Sequence, residues 1–176
     1  MDFVGITAVE DKLANGVYSS VEMFRNAGLK VWMLTGDKME TAKCISISTG
    51  LRKSNERIFT VEECLDEYEL EKLFQVYYNS ISPREHCMMI IDGSSLSVAL
   101  RPKLVDTFLK VSRKITTLVC CRCAPSQKSQ IAQLLKDHPK TKGRVLAIGD
   151  GGNDVGMIRI ADIGVGIFGK EGMQAA

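Results

Sequence analysis

The 176-residue sequence predicts an α/β fold built on a doubly wound, mainly parallel sheet. Short apolar runs alternate with helix-length segments along the whole chain. Several of these runs are continuously apolar, which suits strands covered on both faces. The joints between run and helix are rich in glycine, threonine and aspartate, the residues of turns and helix starts.

The elements follow in order. Residues 4–9 read as a strand, and residues 17–27 as a helix ended by Gly28. Residues 30–34 form the next strand, closed by Thr35-Gly36-Asp37, and residues 39–49 a helix closed by Gly50. Residues 54–87 are more polar, with a helix expected over 66–79 and a break at Pro83; they read as an excursion from the core. Its acidic cluster (Glu62, Glu63, Asp66, Glu67, Glu69, Glu71) reads as a solvated helix face. A short strand over 88–91 precedes Asp92-Gly93. A helix over 103–114, a strand over 117–121 and a helix over 127–137 come next. Residues 145–148 form a strand, residues 154–160 a helix, and residues 163–167 a last apolar piece. No internal repeat or low-complexity segment interrupts the pattern.

Composition fits one domain large enough to bury a core. Hydrophobic residues make up 45% and charged residues 25%, the balance of a soluble globular protein. A net charge of +2 without a basic, aromatic-interleaved stripe gives no ground for a nucleic-acid partner. No apolar run approaches the ~20 residues that span a bilayer. The start Met1-Asp2-Phe3-Val4 lacks the pattern of a secretion signal. The cysteines are Cys44, Cys64, Cys87, Cys120, Cys121 and Cys123. Neither His86 nor His138 completes a zinc-ligand spacing with them. Reduced thiols packed in and near a buried strand are expected, which points to a cytosolic setting.

Chemistry concentrates in Gly149-Asp150-Gly151-Gly152-Asn153-Asp154. A strand that stops at a glycine-rich turn carrying two carboxylates builds an acidic pocket at the carboxyl edge of a sheet, where open α/β sheets bind ligands. That oxygen set suits Mg²⁺, which takes one or two protein carboxylates and keeps waters or phosphate oxygens. At Thr35-Gly36-Asp37 a hydroxyl and backbone N–H groups meet a helix start, a phosphate cradle; helix capping explains the same residues equally well. Lys128 lies in the first turn of its helix, where the dipole disfavours a cation. It is either placed to meet an anion or simply exposed. All three elements follow predicted strands and would converge on one edge. A hydroxyl, an ammonium and a carboxylate pair around one point is what phosphoryl transfer needs.

These three motifs resemble the second, third and fourth motifs of the haloacid dehalogenase superfamily in its P-type ATPase form. Further stretches resemble the phospholipid-flippase branch: Thr7 to Leu13, Leu34 to Ala42, Ile91-Asp92-Gly93, Cys120-Cys121-Arg122 and Gly164 to Ala175. The resemblance implies a Rossmann-like, haloacid dehalogenase-like domain. In that family an aspartate within Asp-Lys-Thr-Gly-Thr takes the γ-phosphate of ATP. By resemblance, Thr35 would bind phosphoryl oxygens, and Gly36 and Asp37 would line the nucleotide side. Lys128 would neutralise phosphoryl charge, Asp150 would bind Mg²⁺, and Asn153 and Asp154 would support the metal and phosphate shell. The implied cofactors are Mg²⁺ and, as substrate, ATP. The implied partners are a phospholipid, reached through a membrane domain, and the nucleotide-binding and actuator domains of a longer chain. The implied location is the cytosolic part of a multi-pass membrane protein.

No Asp-Lys-Thr-Gly-Thr occurs in the sequence. Residues 1–176 therefore resemble the carboxyl-terminal part of a phosphorylation domain that lacks its nucleophile-bearing central strand. Lesser departures are Cys123-Ala124-Pro125, where flippases usually show Val-Ser-Pro or Val-Thr-Pro, and Gly156, where serine is commoner. Without the central strand, two neighbours expose unpaired backbone. Either another segment closes that gap or the chain self-associates through it. A rival reading is a stand-alone phosphatase using Asp92, although Asp92 follows Thr35 in the chain and Ser94 stands where a second acid is usual.

Overall fold

A computed structural model of the chain describes residues 4–6, 13–83, 85–139 and 143–168. The main sheet has four parallel strands: β1 (Val31–Leu34), β2 (Arg57–Val61), β3 (Cys87–Asp92) and β4 (Thr117–Cys121), in the order β1-β4-β3-β2. β3 and β4 are buried at every residue, as their uninterrupted apolar runs require of central parallel strands. Their side chains divide by parity. Met89, Ile91, Leu118 and Cys120 face one layer; Met88, Ile90, Val119 and Cys121 face the other.

The first layer is made by α3 (Glu67–Ser80), α4 (Gly93–Ala99), α5 (Val105–Lys114) and α6 (Pro125–Asp137). Leu70, Phe74, Leu96, Phe108 and Ile131 fill its core. On the opposite face α2 (Met39–Ser48) presses Met39 and Ala42 onto the sheet. α1 (Val17–Asn26) precedes β1 and is tied down through polar groups. Arg25 donates to the Gly50 carbonyl at 2.9 Å and to the buried Glu56 carboxylate at 2.8 Å.

Sequence and structure part company in residues 54–87, expected to lie outside the core. Arg57–Val61 joins the sheet as its edge strand, pairing in parallel with β3 from Arg57–Cys87 to Val61–Ile91. α3, capped by the Asp66 carboxylate on the N–H groups of Tyr68 and Glu69, buries Leu70 and Phe74 completely. The polarity that suggested an excursion belongs to the outer face of α3. α4 was also not expected: its seven residues are too short for a helical period to show, and it starts because Asp92 caps it. Of the strand expected over 4–9, residues 4–6 carry no regular structure and the rest lie outside the described residues.

A second, two-stranded parallel sheet pairs β5 (Leu146–Gly149) with β6 (Ile163–Gly166) around α7 (Val155–Ile160). Among the described residues, no strand pairs with the outer edge of β1 or of β5. The resemblance would put its missing central strand here. The expectation that another segment fills it is not met among the described residues. Side chains join the sheets instead: Leu34 of β1 packs with Ala132 of α6, Ala147 of β5 and Met157 of α7. The smaller sheet stays thinly covered, with Leu146, Ile148, Ile163 and Val165 each between 39% and 48% exposed.

Candidate active site at the carboxyl edge of the sheet

Three turns meet at the carboxyl ends of β1, β4 and β5. Thr35 extends the β1 ladder through its N–H to the Cys120 carbonyl at 2.9 Å, and its own carbonyl accepts from Cys123 N–H at 2.9 Å. The Asp37 carbonyl accepts from Arg122 N–H at 2.8 Å, with Arg122 held at a left-handed φ of 48°. The β1–α2 and β4–α6 turns are thus laced together by main-chain bonds. The Thr35 hydroxyl donates to the Asp37 carboxylate at 2.6 Å and accepts from Asp37 N–H at 3.1 Å. Helix capping does not explain this turn: the N-cap of α2 is Lys38, and no side chain caps that helix. Gly36 and Asp37 are exposed, with the uncapped first turn of α2 beside them.

Lys128 is not an exposed lysine. It is 5% exposed, and its ammonium donates to Asp154 Oδ1 at 2.8 Å. Asp154 is itself 7% exposed, so this is a buried pair that joins α6 to the β5–α7 turn. The anion expected for Lys128 is, in this structure, Asp154. Glycines make the turn tight enough: a Cβ on Gly149 would overlap the Asp154 side chain, and one on Gly151 would overlap Asn153. Asp150, Gly152 and Asn153 are exposed. The two carboxylates are therefore unequal, with Asp150 open to solvent and Asp154 neutralised from within.

The nearby thiols take no part as anions. Burial pushes Cys120 well above its ordinary value and Cys121 up to about 11. Cys123 also rises to about 11, from burial first, although the Lys128 charge pulls the other way. Among the described residues no group of three or more His, Cys, Asp or Glu side chains gathers to hold a metal. The Asp150 carboxylate and the Asn153 carboxamide are both exposed on this turn, and their oxygens are the hard donor type that Mg²⁺ takes alongside waters. A separate cavity of about 860 Å³ opens at the other end of the sheet, lined by Arg25, Glu56, His86 and Lys114. It contains none of the carboxyl-edge residues.

Asp92, the rival nucleophile, is committed elsewhere. It is 3% exposed, accepts from Ser95 N–H at 3.0 Å and from the Ser94 hydroxyl at 2.5 Å, and caps α4. Its strand is separated from β1 by β4.

Sequence reasoning did not single out Gln127, whose buried carboxamide bonds to Ala124, Gly93 and Ser97. Nor did it show that Lys128 and Asp154 are partners. No local signal marks a contact between residues 26 positions apart.

No protein-family model matches the chain. Over 176 residues it is 44% identical to the probable phospholipid-transporting ATPase IIB of Danio rerio, which covers 100% of this chain and 15% of that protein. It is 42% identical to the phospholipid-transporting ATPase neo1 of Schizosaccharomyces pombe, covering 100% of this chain and 16% of that protein. It is 45% identical to phospholipid-transporting ATPase 1 of Arabidopsis thaliana, covering 98% of this chain and 15% of that protein. The chain thus spans about 15% of the length of the curated relatives it matches.

Proposed function

We infer that this chain, related from end to end to the phospholipid-transporting P-type ATPases, is the carboxyl-terminal part of the phosphorylation domain of such an ATPase. The parent would be an enzyme that moves phospholipid at the expense of ATP through an aspartyl-phosphate. Its nucleophile would come from outside residues 1–176. Phospholipid would be met by a membrane domain, nucleotide by the nucleotide-binding domain, and the actuator domain would complete the cycle. These residues would lie on the cytosolic side of a multi-pass membrane protein. Among the described residues no helix is long and apolar enough to cross a membrane.

The observation that supports this reading is the buried Lys128–Asp154 pair, which ties the β5–α7 turn to α6, the helix that follows the β4 turn bonded to Thr35. Thr35 supplies a hydroxyl that can turn from Asp37 to a phosphoryl oxygen. Gly36 leaves the approach open, and Asp37, once released, faces the nucleotide side. Lys128 holds a positive charge where a phosphoryl group and an incoming aspartate would both be negative, and Asp154 fixes its direction. Asp150 and Asn153 would hold Mg²⁺, which when bound neutralises phosphoryl charge. The phosphatase reading that uses Asp92 is disfavoured, because one oxygen of that carboxylate caps α4 through Ser95 N–H and the other accepts from the Ser94 hydroxyl.

The test uses Mn²⁺ as a paramagnetic stand-in for Mg²⁺ on the 176-residue chain. Amide signals of residues 149–154 should broaden first, and Asp150→Asn should remove the effect. Broadening centred on the acidic stretch 62–71 would contradict the assignment. The isolated chain should neither hydrolyse ATP nor take an acid-stable label from γ-labelled ATP. It should instead self-associate through the open edge of β1.

A further inference from the structure

We propose that Gln127 is a positioning residue for Lys128: its carboxamide locks the first turn of α6 so that the ammonium one residue later is delivered at the phosphoryl site. The proposal rests on the phosphorylation-domain reading above and adds to it a residue that no motif marked out.

The first turn of α6 needs an anchor. Its N-cap is Ala124, which has no side-chain acceptor, so the usual cap is missing. Gln127 supplies the restraint from inside the helix. Its Oε1 accepts from Ala124 N–H at 2.8 Å. Its Nε2 donates to the Gly93 carbonyl at 2.6 Å and to the Ser97 hydroxyl at 2.8 Å. Both amide hydrogens and the carbonyl are used, and the side chain is buried at 8% exposure. The contact demands glycine opposite: a Cβ on Gly93 would overlap the Arg122 carbonyl and approach Gln127 Oε1 to 3.1 Å.

Consecutive helical side chains diverge by about 100°. Gln127 therefore ties the turn to α4, the helix that starts directly after β3, while Lys128 reaches the β5–α7 turn of the two-stranded sheet. Among the described residues the two sheets share no ladder. The spacing between Thr35 on one and Asp150 on the other is thus set by packing and by this doubly tethered turn.

The experiment uses the full ATPase polypeptide that carries these residues and measures the rate of acid-stable phosphoenzyme formation from ATP, the half-saturating ATP concentration, and thermal stability. Gln127→Leu keeps apolar bulk and removes all three bonds. It should slow phosphorylation by about 100-fold, the scale of an ångström-sized misplacement, with half-saturating ATP changed less than about threefold. Ser97→Ala removes one of the three Gln127 bonds, together with the Ser97 hydroxyl's own bond to the Gly93 carbonyl, and should slow it about fivefold; it decides the matter if Gln127→Leu does not fold. Normal rates per folded molecule, with only the melting temperature lowered, would show Gln127 to be a structural cap and overturn the proposal. Lys128→Ala separates the two levels. Phosphorylation surviving that change would sink the underlying functional reading. Loss there, with Gln127→Leu and Ser97→Ala unimpaired, would sink this inference alone.

Discussion

Removing the Asp154 carboxylate should be among the costliest single changes in the chain. Asp154→Ala leaves the Lys128 ammonium at 5% exposure without its 2.8 Å partner. Breaking a buried pair from one side costs about 3–5 kcal/mol, because a charge is left desolvated and unpaired. At 2–4 °C per kcal/mol for a domain of this size, the melting temperature should fall by about 6–20 °C. Lys128→Met should cost a similar amount by stranding the opposite charge. The double variant Lys128→Met/Asp154→Leu strands neither, and should be more stable than either single variant. Urea denaturation followed by fluorescence suits the question: the single tryptophan, Trp32 on β1, stacks edge-on to Phe108 with ring centroids 6.3 Å apart. A single-variant cost under about 1 kcal/mol, typical of solvated surface pairs, would refute the argument that this bridge is a buried tie between the sheets.

Three other outcomes follow from particular contacts. Ala124→Ser restores an acceptor at the extended N-cap of α6 (φ −72°, ψ 153°) and should raise stability by about 1 kcal/mol in the same urea assay. Gly164→Ala places a Cβ 2.5 Å from the Ile158 carbonyl oxygen, a main-chain atom that cannot swing away. It should cost about 1–3 kcal/mol and loosen β6 from α7, read as faster amide exchange in residues 163–166. Burial alone would raise the Asp92 carboxyl, but hydrogen bonds from Ser94 and Ser95 outweigh it and hold the group below its ordinary value. Its contribution is therefore complete above the unfolded value of about 4 and is lost as pH falls through the lower folded value. Asp92→Asn should flatten that acid limb of the stability profile; an unchanged limb would mean that other carboxyls carry it.

Much of this architecture is written locally. β3 and β4 announce themselves as continuous apolar runs, and the glycine after α2 marks its end. The threonine turn, the lysine helix start and the Gly-Asp-Gly-Gly-Asn-Asp loop stand out because each sits at a strand's carboxyl end, and their similarity to flippase motifs spans the whole chain. Tertiary structure decided what no window of sequence contains. Arg57–Val61 is an edge strand because Cys87–Asp92 offers it a partner, not because its own residues alternate clearly. Lys128 is buried because Asp154, 26 positions away, neutralises it, and Gln127 matters because Gly93 and Ser97 fold over it. Periodicity and turn chemistry act over a few residues and can be read in order. Pairing, burial and the spacing between two unladdered sheets depend on groups that only folding brings within a few ångströms of each other.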